Sequence, residues 1–169
     1  MSGQQSTSTS SGRTQRKAGV SAIPAGYHAV TPYLVVNDAG KFIDFVTRAF
    51  NARQVEMMKG PDGKIGHAEV TIGDSHIMLC DETPQFKAQP AMLYLYVEDV
   101  DKVFAQALKS GATSIKEPMD QFYGDRSGCL KDAGGITWWV ATHIEDVPKD
   151  ELERRAKEAM SKMQSQQKH

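Results

Sequence analysis

His67 and Glu69 are the residues of this chain best placed for acid–base chemistry. They stand two positions apart in a β-rich run. Because successive side chains of a strand point to opposite faces, both would project from one face, and Thr71 would extend it. Histidine changes its charge near neutral pH, so the pair could transfer a proton or bind a polar ligand. The same residues could equally form a solvated strand face or a polar contact that fixes how two parts of the fold pair.

A second group of candidate ligand-binding residues lies later in the chain. The planar guanidinium of Arg126 could clamp an anionic or carbonyl group, and Tyr123 stands in the loop before it. Asp125 and Arg126 could instead form local ion pairs that stiffen the loop, which are common and weak. Trp138 and Trp139 are neighbours on a predicted strand, so one should face the core and the other a cavity or an interface. The sequence does not decide between them; Trp138 is taken as the ligand-binding candidate.

Other reactive residue types show no supporting pattern. The sequence contains no glycine-rich phosphate loop, GxSxG elbow, HExxH helix or paired-cysteine zinc motif. Cys80 and Cys129 are too few for a disulfide scaffold, and no neighbouring group marks either as an activated thiolate. His28, His76 and His143 lack partners at ligand spacing and are interpreted as structural or surface residues. Nucleotide hydrolysis and serine-hydrolase chemistry have no support, and a reducing cytoplasm is the simplest location.

Length and charge narrow the classes of protein further. The chain has 169 residues, with 20 Lys and Arg against 21 Asp and Glu and a formal net charge of −1. This length favours one domain, or two small modules that share a core. The near-neutral balance lacks the basic surface of a nucleic-acid-binding protein. No apolar run approaches the ~20 residues that a membrane-spanning helix requires, so we expect neither nucleic acid nor membrane as a partner.

The two ends of the chain differ in character. Residues 1–22 are rich in Ser, Thr, Gly and Gln, and no Leu, Ile or Val precedes Val20. A disordered polar tail is therefore favoured over an amphipathic transit peptide. Pro148 can begin a helix, and an amphipathic helix is predicted over 148–164, followed by a tail over 165–169. Its apolar face comprises Leu152, Ala156, Ala159, Met160 and Met163. That face could cap the domain or reach a partner subunit.

An internal repeat organises the region between these ends. An offset of 61 aligns Tyr33 with Tyr94, Leu34 with Leu95, Val36 with Val97, Asp38 with Asp99 and Lys41 with Lys102. Each copy has a β-rich run, a polar helix cap, an amphipathic helix and three strands separated by turns. The sequence predicts a single domain over 27–147 with two βαβββ modules, at 27–82 and 91–143. We expect an α+β fold in which they form one curved mixed sheet, with helices on the outer face and a polar concave cavity inside.

The paired modules resemble the vicinal oxygen chelate superfamily, which includes glyoxalase I, fosfomycin- and bleomycin-resistance proteins and extradiol dioxygenases. The resemblance is closest to its PhnB-like, or glyoxalase/bleomycin resistance protein/dioxygenase-like, branch. The motifs that carry it are VTPYL at 30–34, GHAE at 66–69, GDS at 73–75, IML at 77–79, LYVEDVD at 95–101, GDR at 124–126 and ATHIEDV at 141–147. The resemblance covers about residues 27–158. It implies the glyoxalase/bleomycin resistance fold, a homodimer and a small organic ligand in the concave cavity.

The resemblance also locates a metal site. In metal-using members a divalent ion is bound by His, Glu or Gln on the first and last strands of each module. Those positions fall here on Thr31, Met78, Met92 and Trp139. None supplies an imidazole or a carboxylate, so we expect the usual family metal to be missing and predict no cofactor.

Three functions remain open at this point. A binding protein of the resistance or sequestration type needs only a shaped cavity with aromatic walls and a few polar groups. A glyoxalase-like lyase or isomerase, or a dioxygenase-like enzyme, would need a metal or proton transfer by His67 and Glu69. A scaffold protein with a filled cavity is the third. The sequence does not identify the ligand.

Overall fold

The computed structural model describes residues 17–166 of the chain. Module one contains β1 (Tyr33–Val36), α1 (Ala39–Phe50), β2 (Arg53–Lys59), β3 (Ile65–Ile72) and β4 (Ser75–Asp81). Module two contains β5 (Met92–Tyr96), α2 (Val100–Lys109), β6 (Thr113–Asp120), β7 (Asp125–Lys131) and β8 (Thr137–His143), and α3 (Lys149–Gln166) follows. The predicted βαβββ order is confirmed in both copies. Most of the predicted polar tail, at 1–16, and the end of the chain, at 167–169, lie outside the described residues.

Both module helices begin at the aspartate that the repeat aligns. The side chains of Asp38 and Asp99 accept hydrogen bonds from the amides of Lys41 (2.9 Å) and Lys102 (3.0 Å). Each bond satisfies an amide that the first helical turn leaves without a partner. The duplicated sequence therefore produces duplicated local structure.

The strands form two four-stranded mixed sheets, in the orders β1-β4-β3-β2 and β5-β8-β7-β6. The parallel pairs are β1 with β4 and β5 with β8, and the other neighbouring strands pair antiparallel. The α+β class and the paired modules are confirmed, but the expected single curved sheet is corrected to two sheets. The physical reason is that every strand finds its hydrogen-bonding partners inside its own module, so the modules meet through side-chain packing instead.

Helices α1 and α2 form the junction between the modules. Gln106 of α2 donates a hydrogen bond to the carbonyl oxygen of Arg48 near the end of α1 (2.7 Å). Trp138 of β8 crosses the junction and packs against Phe42 and Phe50 of α1, with ring centroids 6.2 and 4.6 Å apart. Each sheet therefore has one face covered by its helix. We call the opposite face the open face of the module.

Helix α3 follows the two modules and includes the segment in which an amphipathic helix is predicted. Arg155 forms two hydrogen bonds of 2.8 Å to the carboxylate of Glu145, which precedes the helix. Leu152, Ala156 and Ala159 are half-buried, whereas Met160 is exposed. Within residues 17–166, no helix combines the length and apolar character needed to cross a lipid bilayer.

Candidate functional site

Strand β3 separates polar from apolar side chains by simple alternation. Ala68 and Val70 are fully buried on the side of α1. His67, Glu69 and Thr71 project from the open face of module one, as their spacing predicts. The strand therefore presents an imidazole and a carboxylate side by side.

Glu69 is the centre of a polar cluster and is only 5% exposed. It accepts a hydrogen bond from the Tyr27 hydroxyl, and His67 Nε2 lies 3.4 Å from Oε1. His76 stacks on the Tyr27 ring at a centroid distance of 4.1 Å, and its Nδ1 lies 3.7 Å from Glu69 Oε2, beyond hydrogen-bonding distance. The Tyr33 hydroxyl lies 3.5 Å from the other His67 ring nitrogen, Nδ1. We call these five residues the Glu69 cluster.

The hydrogen bond from Tyr27 determines the protonation of this cluster. It lowers the pKa of Glu69, and His67 assists, although burial acts in the opposite direction. The same bond raises the pKa of Tyr27 above its ordinary value. Glu69 is therefore a carboxylate at neutral pH, and Tyr27 remains a hydrogen-bond donor.

A second carboxylate faces Glu69 on the neighbouring strand. Glu56 of β2 is the direct cross-strand partner of Glu69. Ligand atoms of Glu56, His67 and Glu69 all lie within 4.8 Å of one another. These three residues could hold a metal ion.

The positions at which the superfamily holds its metal have different chemistry. Met78 and Trp139 occupy equivalent places in the two sheets, beside Tyr33 and Tyr94 respectively. Thr31 and Met92 lie at or before the start of the first strands. Thioether and indole groups are not ligands for the divalent ions of oxygen and nitrogen sites. This donor set does not fit the usual family metal.

Module two carries a buried carboxylate of its own. Asp125 is 3% exposed. It accepts hydrogen bonds from the hydroxyls of Tyr96 (2.9 Å) and Tyr94 (3.3 Å), and His143 Nδ1 lies 2.8 Å from its other oxygen. Asp125, and then Asp146, raises the pKa of His143 by hydrogen bonding to the imidazolium. We call Asp125, Tyr94, Tyr96 and His143 the Asp125 cluster.

Trp138 and Trp139 project from opposite faces of β8, as the alternation of side chains along a strand requires. Trp138 is 1% exposed, and its Nε1 donates to Asp132 Oδ2 at 3.0 Å. Trp139 projects from the open face, where it stacks on Tyr94 with ring centroids 6.3 Å apart and Lys116 Nζ lies 5.6 Å from its centroid. The choice of Trp138 as the ligand-facing tryptophan is corrected, because its ring fills the junction between the modules. Trp139 occupies the open face.

The remaining ligand-binding candidates, Tyr123 and Arg126, lie in different surroundings. Tyr123 lies beside the Tyr94 hydroxyl and contributes, after burial, to raising the Tyr94 pKa. Arg126 belongs to the opposite, helix-facing side of the sheet and forms ion pairs with Asp101 (2.8 Å) and Asp120 (2.9 Å). Arg126 therefore does not lie with His67 and Glu69 on an open face, and its alternative interpretation as a member of local ion pairs is the one the structure shows. Its guanidinium is held by carboxylates of α2 and β6 instead.

Several polar contacts escaped the sequence analysis because distant parts of the chain make them. Tyr27 and Glu69 are 42 residues apart, and no local pattern joins them. His143 is an exposed residue with a structural role, as the sequence indicates, but its partner Asp125 is set opposite it only by strand pairing. The alternation of tyrosines in β5 was the available signal for an aromatic open face.

A crevice of about 280 Å³ lies between the modules, next to the Glu69 cluster. Its walls include Thr31 and His76 from module one and Leu93, Tyr94 and the edge of Trp138 from module two. The crevice therefore connects residues of both clusters.

Comparison with known proteins places these features in a family. The family model of the Glyoxalase/Bleomycin resistance protein/Dioxygenase superfamily matches residues 26–140. An uncharacterised protein of Mycobacterium bovis is 37% identical over 136 residues, covering 74% of this chain and 90% of that protein. The PhnB protein from Bacillus cereus has a similar structure, with a TM-score of 0.56 and 22% identity, covering 68% of this chain and 99% of that one. TnmS3 from Streptomyces sp. CB03234, described as an antibiotic binding protein, gives a TM-score of 0.55 with 20% identity, covering 69% of this chain and 99% of that one.

Proposed function

Because this chain belongs to the glyoxalase/bleomycin resistance protein/dioxygenase superfamily, we propose that it binds a small organic molecule on the open faces of its sheets. The observation that carries the proposal is the open face of module two. There Tyr94 and Tyr96 donate hydrogen bonds to the buried carboxylate of Asp125, and Trp139 stacks on Tyr94. Aromatic walls with a few fixed polar groups are the usual composition of a small-molecule site. The similarity to an antibiotic binding protein supports a resistance or sequestration role.

The binding would proceed without the usual family metal. Thr31, Met78, Met92 and Trp139 offer no imidazole or carboxylate at the positions where that ion is held in metal-using relatives. Metal retained in near-stoichiometric amount by residues at these four positions would contradict this part of the proposal. It would restore a metal-dependent enzyme as the better explanation.

A thermal-shift panel of aromatic and polycyclic compounds tests ligand binding. A compound that binds only the native state adds RT ln(1 + [L]/Kd) to the free energy of unfolding, so it raises the melting temperature. We expect Trp139→Ala to weaken the best compound at least ~10-fold, because base-like and polycyclic rings gain ~1–3 kcal/mol by stacking on an aromatic side chain. Arg126→Met is the matched control, since Arg126 lies on the other side of the sheet. Equal loss in both variants would reject the open face as the site.

We also propose that the protein is a homodimer in which a second copy lies opposite the open faces and encloses the ligand between the two copies. Large side chains are exposed there, with Met92 66%, Tyr96 61%, Tyr33 50% and Tyr94 46% accessible. Contiguous exposed apolar surface commonly marks an interface.

Light scattering on the full chain and on a chain that ends at Asp146 tests this assembly. We expect a dimer for the full chain. A monomer at high concentration would reject the dimer, whereas a truncated dimer would reject only a contribution from α3.

Catalysis is the second candidate function, and the contact between His67 and Glu69 favours it. Their 3.4 Å separation would let the pair transfer a proton to a bound substrate in a glyoxalase-like or dioxygenase-like reaction. Mass spectrometry of the best panel compound after incubation with the protein separates the two functions. Recovery of unchanged compound favours binding, whereas product formation that is lost in Glu69→Gln favours catalysis.

A cytoplasmic location fits the two cysteines. Both Cys80 and Cys129 are free thiols. Burial raises the pKa of Cys129, so its reactive thiolate form is disfavoured. Thiols of this kind persist in a reducing compartment.

A further inference from the structure

We propose that module one binds a divalent transition-metal ion through Glu56, His67 and Glu69, at a site separate from the metal positions of the superfamily. The proposal goes beyond ligand binding on the aromatic open face, which requires no metal. The three residues lie on adjacent strands β2 and β3, and none of them belongs to the four positions named above.

The distances suit a metal after a small movement of one side chain. Zinc binds nitrogen and oxygen ligands at ~2.0–2.2 Å in a tetrahedral arrangement, so two ligand atoms on one ion lie ~3.3–3.6 Å apart. His67 Nε2 and Glu69 Oε1 are already 3.4 Å apart, and the whole group falls within 4.8 Å. Glu56 is exposed, so rotation of its side chain can bring the carboxylate closer by the ~1 Å that tetrahedral ligation requires.

The charges supply an independent reason for a cation. Glu56 and Glu69 are directly opposed across the antiparallel pair of β2 and β3. Like charges in such positions destabilise a sheet. The burial of Glu69 increases the effect, because water cannot screen its charge well. An ion between the two carboxylates would replace this repulsion with attraction.

The residues around the site hold its ligands in place. The Tyr27 hydroxyl fixes one oxygen of Glu69 and leaves Oε1 directed at His67. Tyr33 lies beside His67 Nδ1, so that nitrogen can donate to the tyrosine hydroxyl while Nε2 binds the ion. Metal-bound histidines commonly donate their second nitrogen to such a partner.

Module two provides an internal comparison at the same sheet positions. The strand register sets Lys116, Cys129 and Ser127 where module one has Glu56, Glu69 and His67. A lysine at the first of these positions repels a cation. The proposed site is therefore a property of module one and not of the repeated fold.

One imidazole and two carboxylates favour Zn²⁺, Fe²⁺ or Mn²⁺ over Ca²⁺. Three protein ligands leave at least one coordination position open. An oxygen atom of a bound organic molecule could occupy that position.

Titration of the tag-free full chain with Zn²⁺ and Mn²⁺ by calorimetry tests the site. We expect one ion per chain and a dissociation constant at least ~10-fold weaker in Glu56→Gln and in His67→Gln, because each change replaces a carboxylate or an imidazole with a neutral amide, a poorer ligand for these ions. Asp44→Asn is the control, since it removes an exposed acidic charge from α1 in the same module. Glu56→Gln keeps the test valid if His67→Gln fails to fold, because Glu56 is exposed.

Two outcomes would overturn the proposal. One is no binding of either ion up to ~1 mM, the weak end of the range for protein metal sites. The other is binding that Glu56→Gln leaves unchanged, or that Asp44→Asn weakens as much. Neither outcome affects the thermal-shift test of organic ligands, so this site and the proposed function fail separately.

Discussion

The two modules share a backbone plan and differ in what they expose. The pair of Tyr33 and Met78 in module one recurs as the pair of Tyr94 and Trp139 in module two, at the same place in the sheet. The next strand then carries Glu69 in one module and a cysteine in the other. The open face of module one is thus rich in carboxylate and imidazole groups, and that of module two is rich in aromatic rings. A repeated fold can therefore support two different surfaces, because only the helix-facing side chains are required to form the core.

Each module also buries a carboxylate that accepts a hydrogen bond from tyrosine, but in different places. Glu69 lies in the middle of β3, and its tyrosine donor comes from the segment before β1. Asp125 begins β7, and its donors come from β5 and β8. In both modules tyrosine hydroxyls satisfy the buried charge. Glu69 and Asp125 do not occupy equivalent positions in the two modules. The repeat therefore does not account for the two clusters.

The largest expected effect is the difference in stability between substitutions on the two faces of β8. Trp138→Ala should lower the free energy of unfolding by ~3–5 kcal/mol, because it leaves a large cavity at the junction with α1. Trp139→Ala, one residue later, removes a ring from the open face and should cost much less. Urea denaturation followed by circular dichroism measures both. Equal losses would contradict the assignment of Trp138 to the core and Trp139 to the open face.

A smaller effect should distinguish two glycines in the corresponding turns of the two modules, Gly63 between β2 and β3 and Gly124 between β6 and β7. Both have positive φ, at +81° and +96°, so alanine should cost ~1–2 kcal/mol at either position. A β-carbon at Gly63 meets no atom within 4 Å, whereas at Gly124 it would clash with the carbonyl oxygen of Glu145 and contact Val147. Overpacking adds ~1–3 kcal/mol, so Gly124→Ala should be the more destabilising. Thermal unfolding of the two variants gives the comparison, and a larger loss in Gly63→Ala would contradict it.

Local patterns were sufficient to predict the elements and the shared face of His67 and Glu69. The alternation along β3 and a polar cap before each helix, at Asn37 or Asp38 and at Glu98 or Asp99, depend on neighbouring residues only, so the sequence contains them directly. The contact of Tyr27 with Glu69 depends on where the segment before β1 crosses the sheet. The placement of Arg126 depends on Asp101 of α2 lying within reach. These contacts, and the division of the strands into two sheets, arise from tertiary packing and have no local signal.

The smallest expected effect is a pH dependence of opposite sign in the two modules. The pKa of His143 is raised by Asp125, so its bridge stabilises the native state fully below the unfolded value of ~6.5 and is lost as the pH rises through the folded value. The pKa of Glu69 is lowered by Tyr27, so its contribution is present above the unfolded value of ~4.3 and is lost as the pH falls through the folded value. Urea denaturation of the parent, His143→Gln and Glu69→Gln across pH 3 to 9 tests both. The difference between parent and His143→Gln should shrink in alkaline solution, and that between parent and Glu69→Gln should shrink in acid. Differences that change in the same direction would show that Glu69 and Asp125 do not act through the partners assigned to them.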